Sequence, residues 1–436
     1  MKHKVEAAEI YLWSSKVGAV AWDHQNDCAI FEFEKKFFEK DLDIAPLWMP
    51  LEEALRGNTK FSFPALRKET FKGLPGMLAD ALPDNYGNSI IHVWLAAQGR
   101  SIEDFSPVER LCYMGKRAMG ALEFKPSLRT GLDASVPIQI NDLLILAEKI
   151  IHQKKQLQAQ LTDDQTKALI DIIRVGSSAG GNRPKAVIAL NDKTKQIRSG
   201  QLKVPEGFTH WILKFDGLQD NGLGDPKGYG TIEYVYFQMA TAAGIQMNEC
   251  RLLKENNRAH FMTRRFDRAQ NNEKLHMQTL CALAHFDYNA PGEYSYEQAF
   301  EVIRKLKLPY SDREQMFRRM AFNIVARNQD DHTKNISFLM NEQGQWQLAP
   351  AYDVIFACNL SGEWTNKHQM SANGKRDHFT KEDLKKVGDT AEIKAHIKII
   401  DEIIDAVKQW PDLAKKEGVG EEQIKLIGDQ HRLLKR

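Results

Sequence analysis

Eight consecutive polar residues, Asn328-Gln-Asp-Asp-His-Thr-Lys-Asn335, interrupt the chain between two strongly apolar segments. Before them, Met316, Phe317, Met320, Ile324 and Val325 recur at helical spacing, which predicts a buried helix ending near Arg327. After them, Ile336-Ser-Phe-Leu339 reads as a strand. Polar groups held between buried elements cost free energy unless they are solvated or used. The order helix, polar loop, strand is therefore the strongest constraint in the sequence. A surface turn that caps the helix is the plain alternative.

The spacing inside the octet favours use. Asp330 and Asn335 stand in the pattern D-x-x-x-x-N, in which the aspartate meets an acceptor hydroxyl and the asparagine carbonyl holds Mg²⁺. A second carboxylate follows in Leu348-Ala-Pro-Ala-Tyr-Asp353, after a hairpin whose turn is Asn341-Glu-Gln-Gly344. Hard oxygen ligands on two converging loops, completed by nucleotide phosphates, suit Mg²⁺. A transition-metal hydrolase on Asp330, Asp331 and His332 is a rival, but no other histidine cluster completes such a site.

Composition bounds the rest. The 436 residues suffice for two or three domains, and 60 Lys+Arg against 58 Asp+Glu leave a net charge of only +2. That balance does not favour direct DNA binding. Five scattered cysteines without a CxxC pair predict reduced thiols in a cytoplasmic protein. The N-terminus lacks the apolar stretch of a signal peptide, and no run reaches the length of a membrane span.

Along the chain, residues 8–34 read as strands around turns at Ser14-Ser15-Lys16 and an Asn-Asp pair, and a helical stretch runs from Ser89 to Gln98. Pro126–Pro137 marks a boundary. Helices Ile140–Gln158 and Asp163–Val175, the latter capped by Thr162, precede the glycine-rich turn Gly176–Gly181. Strands Lys185–Leu190, Trp211–Phe215 and Ala259–Arg264 and a helix Thr231–Ala243 follow, and from Leu275 the pattern is mainly helical, interrupted only by one hairpin at 335–348. The expected domains are 1–130, 131–270 and 271–436. The fold class is α+β and bilobal: a sheet-rich half with the glycine-rich loop, then a mainly helical half with the polar octet.

Lys214 ends an apolar strand, from which a lysine can reach α/β-phosphates, and Glu233 can pair with it. Taken alone, each reads as a surface residue, Glu233 as an exposed helix position. Gly176 and Gly181 have Walker A spacing, but Asn182-Arg183 replaces the required Lys-Ser/Thr, so a P-loop NTPase is disfavoured. The turn can still offer backbone N–H groups to phosphate through Ser178, Ala179, Gly180 and Gly181, with charge from Arg183 and Lys185.

Together, Ser177-Ser-Ala-Gly-Gly-Asn-Arg-Pro-Lys-Ala186, His210-Trp-Ile-Leu-Lys-Phe-Asp216, Arg265-Phe-Asp-Arg268, Asn328–Phe338, Leu348–Val354 and Leu82-Pro-Asp-Asn85 resemble the HipA family of serine/threonine kinase toxins. The resemblance implies a protein-kinase-like fold with a small N-terminal subdomain, using ATP and Mg²⁺. It makes Asp330 the catalytic aspartate with His332 and Asn335 as loop partners, Asn335 and Asp353 the metal ligands, and Lys214 a nucleotide contact. Adenine is expected at the backbone around Arg264 and Phe266; the family often carries Glu where Arg264 stands. Autophosphorylation is expected at Ser178, with Ser177 second, placing nearly two negative charges where ATP phosphates sit. The resemblance further implies a helix-turn-helix antitoxin of HipB type, contact with operator DNA only through it, and a protein substrate such as an aminoacyl-tRNA synthetase. A small-molecule kinase of related fold and a non-catalytic nucleotide-binding regulator are the alternatives.

Overall fold

The computed structural model describes residues 5–83, 85–96, 99–128, 135–139, 183–219, 222–223, 228–269 and 272–434. The expected helices 140–158 and 163–175 and the glycine-rich turn, with Ser177, Ser178, Ala179, Gly180 and Gly181, lie outside them. The chain divides into two compact units. The first comprises Met1–Lys227, Leu253–Met277 and Met340–Gly344; the second comprises Gly228–Leu252, Gln278–Leu339 and Gln345–Arg436.

The first unit opens with a five-stranded sheet. Strands β1 (Ala7–Leu12), β2 (Ser15–Asp23), β3 (Cys28–Phe33), β4 (Lys60–Phe61) and β5 (Leu122–Lys125) lie in the order β4-β3-β2-β1-β5. Positive φ at both Trp13 and Ser14 makes the tight turn joining β1 to β2. Alternation puts Ile10, Leu12, Phe31 and Phe33 inside, and a register shift of β2 opposite Ile10 and Tyr11 lets both Val17 and Val20 be buried. Helix Pro107–Met114 covers this core, started by a capping box between Ser106 and Glu109 with Pro at its first turn.

A second sheet, whose residues belong to this unit except Cys250–Leu252 of β11, has the order β11-β12-β8-β6-β7. Its members are β6 (Lys185–Asn191), β7 (Ile197–Ser199), β8 (Phe208–Lys214), β11 (Cys250–Glu255) and β12 (Arg258–Arg264). The short strands β9 (Leu218–Gln219) and β10 (Gly222–Leu223) form a separate hairpin. Ala186, Ile188, Leu190, Trp211, Leu213, Phe215 and Met262 form the core of the large sheet.

Helices dominate the second unit. The predicted helix over 231–243 is present as Tyr229–Ala242, and the apolar periodicity before the octet forms Tyr310–Val325. The mainly helical pattern from Leu275 is present, but the expectation that one hairpin alone interrupts it needs correction. A strand β13 (His276–Thr279) joins β14 (Ser337–Met340) and β15 (Trp346–Leu348) in a three-stranded sheet. A long irregular stretch then runs from β15 to helix Lys381–Thr390. Four-residue strands are too short to declare a period. Among the described residues, no helix is long and apolar enough to cross a membrane.

His260 and His276 are fully buried, and burial pushes each down to about 4. The unfolded chain therefore takes up these protons first, near pH 6.5. Stability is expected to fall as pH drops from about 6.5 toward 4, approaching ~1.4 kcal/mol per pH unit for each histidine. Urea midpoints at pH 7 and pH 5 check this; equal midpoints at the two pH values would sink it.

Candidate active site

Helix Tyr310–Val325 buries Met316, Phe317, Met320, Phe322, Ile324 and Val325, which anchors the start of the octet. Arg327 leaves the helix with a positive φ of 59° and turns the chain. The Asn328 side-chain amide donates to Asn323 Oδ1 at 3.0 Å, and Gln329 N donates to the Ala357 carbonyl at 3.0 Å. Thr333 Oγ1 donates to the Phe286 carbonyl at 2.7 Å. The octet is thus not the solvated loop that eight polar residues suggest: Asn328, Gln329, Asp331 and Thr333 are buried. Hydrogen bonds to surrounding backbone and side chains offset part of the cost of desolvation, while Asn328 Oδ1 and Gln329 Nε2 are buried without a partner.

Within this loop Asp330 and Asp331 face opposite ways, with side chains 38% and 1% exposed. Asp330 Oδ1 accepts from the indole Nε1 of Trp364 at 2.6 Å and lies 3.8 Å from His332 Nε2. The His332 ring sits between Tyr288 and Trp364, at 5.5 and 6.4 Å between centroids. Asn335 donates its side-chain amide to the Asp330 carbonyl at 2.7 Å, closing the loop on itself. Its carboxamide nitrogen is thereby committed, and the oxygen is the atom suited to a cation.

Asp353 follows β15 with a positive φ of 55°, a backbone state that L-residues rarely hold. Neighbouring Tyr352 fixes it: its hydroxyl donates to the Lys334 carbonyl at 2.5 Å and lies 2.6 Å from Ser337 Oγ. Buried Arg319 donates to the Ala349 carbonyl at 2.6 Å from below. A small cavity is lined by Asn328, Asp331, His332, Asn335, Tyr352 and Asp353. The donors Asn335 and Asp353 are hard oxygen ligands, two in number, which suits a magnesium ion that takes its other ligands from phosphates and water. Among the described residues, no group of three or more His, Cys, Asp or Glu side chains can hold a metal. The Asp330–Asp331–His332 metal site is therefore not assembled, because Asp331 turns inward.

Of the remaining sequence candidates, Lys185, Lys214, Arg264 and Phe266 lie in the first unit and Glu233 in the second. Lys185 and Lys214 are cross-strand partners on β6 and β8, the first fully buried. Lys214 Nζ stands 5.7 Å from the centre of the Phe261 ring. Arg264 ends β12, opposite Trp211, and half-buried Phe266 follows it. Glu233, expected as an exposed helix residue, is 1% exposed; it lies on the inward face of its helix with Ile232 and Tyr236. A single glutamate in an apolar helical pattern carries no sign of which face it occupies.

The chain matches the HipA N-terminal domain over residues 8–125 and the HipA-like C-terminal domain over residues 177–411. It belongs to the HipA family. HipA of Shewanella oneidensis, solved with HipB and its operator DNA, superposes with a TM-score of 0.66 over 98% of this chain and 95% of that one. At 15% identity the likeness is one of fold. Y4mE of Sinorhizobium fredii, a protein to which kinase activity is ascribed, is 29% identical over 194 residues. That match spans 41% of this chain and 42% of the relative, so the chain spans about two fifths of the relative's length. The HipA C-terminal match includes the octet, Asp353 and the glycine-rich turn from Ser177 onward.

Spacing alone misses what surrounds the octet in this HipA-family chain. Trp364, Tyr296 and His368 reach the loop from segments with no motif of their own, and Arg432 reaches His368. The glycine-rich candidates lie outside the described residues.

Proposed function

We propose that this chain is an ATP- and Mg²⁺-dependent serine/threonine protein kinase. The observation that carries the reading is the shared cavity of Asn335 and Asp353, with Asp330 held on the same loop. Phosphoryl transfer needs little covalent chemistry from the protein; positioning and electrostatics do the work. A bound magnesium ion would neutralise charge on the nucleotide phosphates. Asn335 and Asp353 would hold it, Asp330 would orient the acceptor hydroxyl and take its proton, and His332 would support the Asp330 carboxylate. Lys214 and the glycine-rich turn would bind phosphates, and backbone around Arg264 and Phe266 the adenine.

The acceptor is a protein hydroxyl, with Ser178 as the site of autophosphorylation and Ser177 second. The regulatory partner would be a helix-turn-helix antitoxin of HipB type, and operator DNA would be reached through it, in keeping with the net charge of +2. The place of action is the cytoplasm.

Purified chain incubated with γ-labelled ATP and Mg²⁺ is expected to acquire label as phosphoserine, mapped to Ser178, and Ser178→Ala is expected to remove most of it. Label on a small molecule with no phosphoprotein would support a small-molecule kinase instead. ATP binding without transfer to any acceptor would support a non-catalytic regulator.

A further inference from the structure

Asp331 lies next to the proposed catalytic aspartate and has no place in the D-x-x-x-x-N logic, yet its carboxylate is the best-anchored group in the loop. Its Oδ2 accepts from the Tyr296 hydroxyl at 2.8 Å and from His368 Nδ1 at 2.8 Å, and its Oδ1 accepts from Gln369 N at 2.7 Å. Burial favours the neutral acid, but His368 and these hydrogen bonds outweigh it and hold the carboxyl below its usual range.

The network continues to the end of the chain. Arg432 Nη1 lies 3.2 Å from His368 Nε2. The ring thus bridges the two, with Nδ1 toward Asp331 and Nε2 toward Arg432. Arg432 also pairs with Asp377, and its backbone N donates to the Val325 carbonyl at 2.8 Å, at the last residue of the helix before the octet. Arg327 Nε in turn donates to the Gln430 carbonyl at 2.8 Å. Residues 430–432 therefore grip the helix end that enters the loop and the histidine that fixes its centre.

We propose that Asp331 is a positioning residue for phosphoryl transfer and that the C-terminal segment completes it, through Arg432 and His368. This rests on the kinase reading. Asp331 turned inward and held at three points fixes the backbone from which Asp330 turns outward. Loosening the anchor spreads the orientations of Asp330 without touching the nucleotide. Supporting groups of this kind change rates by about 10–100-fold where a reacting geometry depends on them.

The test measures kcat and KM for ATP on full-length wild type, Asp331→Asn, Tyr296→Phe, Arg432→Gln and Arg432→Lys, each with its melting temperature. The expected result is a fall in kcat of roughly 10–100-fold for Asp331→Asn, with KM for ATP nearly unchanged. Smaller falls are expected for Tyr296→Phe and Arg432→Gln, with partial recovery in Arg432→Lys. A merely structural role would lower melting temperatures while kcat per folded molecule stayed at the wild-type value, and that outcome overturns the proposal. If Asp331→Asn does not fold, the Tyr296 and Arg432 variants decide, and kcat within twofold of wild type in both overturns it. Wild type that transfers no phosphate defeats the kinase reading itself, a result distinct from either of these.

Discussion

Asp330→Asn is expected to slow phosphoryl transfer by roughly 10²–10⁴-fold, the range for loss of a positioned acid–base group. Melting temperature and ATP affinity should stay close to wild type. The side chain is 38% exposed, and its contacts are the Trp364 indole and the more distant His332 nitrogen. An asparagine keeps the shape and can still accept the indole N–H through its amide oxygen, so no buried donor is orphaned. What it loses is the charge and basicity that an acceptor hydroxyl needs. Initial rates of label incorporation, with a binding assay for ATP and a thermal melt on the same preparation, separate these effects. Transfer within threefold of the wild-type rate would remove Asp330 from the chemistry. A large fall in melting temperature would mean the exposed carboxylate supports the fold, contrary to its surroundings.

The contrast between Asp330 and Asp331 shows where the sequence is legible. The apolar face of 316–325, the polar octet and the apolar strand after it are periodicity and spacing, and each is present as read. Which of two adjacent aspartates turns inward depends on Tyr296, His368 and the chain end. These segments are distant in sequence, and no local pattern reports their convergence. The same holds for β13, whose four residues become a strand only because β14 is there to pair with. Glu233 was unreadable for the opposite reason. Helical periodicity places apolar side chains inward, and a lone carboxylate on that face looks like a surface residue until the neighbours are seen. The whole-chain order of motifs was more informative than any one of them. That is why the family was visible while the loop anchor was not.

Asp267→Ala is expected to destabilise the first unit by about 3–5 kcal/mol, the cost of leaving buried charge without its counter-ion. Arg265 and Asp267 are fully buried, and Arg268 nearly so. The carboxylate accepts from Arg265 Nε at 2.8 Å, Arg265 Nη2 at 2.7 Å, Arg268 Nη1 at 2.7 Å and Gly120 N at 2.7 Å. Gly120 has a φ of +75°, and a Cβ there would stand 3.0 Å from Met277 N, so the donor is held where only glycine fits easily. Burial disfavours the charged Asp267, but the two guanidiniums outweigh it and hold its carboxyl far below the usual range, while burial pushes Arg268 down to about 10. Alanine leaves two buried guanidiniums without the carboxylate that bridges them, with Glu123 the remaining carboxylate acting on Arg268. The penalty is therefore desolvated charge rather than the loss of a net attraction, and this distinction is measurable. Replacing Arg265, Asp267 and Arg268 together with apolar residues of similar volume should cost much less than Asp267→Ala alone. Denaturant unfolding of the full-length single and triple variants, followed by a probe in the first unit, decides between the two accounts. A triple variant less stable than Asp267→Ala would mean that the ion cluster stabilises the unit in its own right.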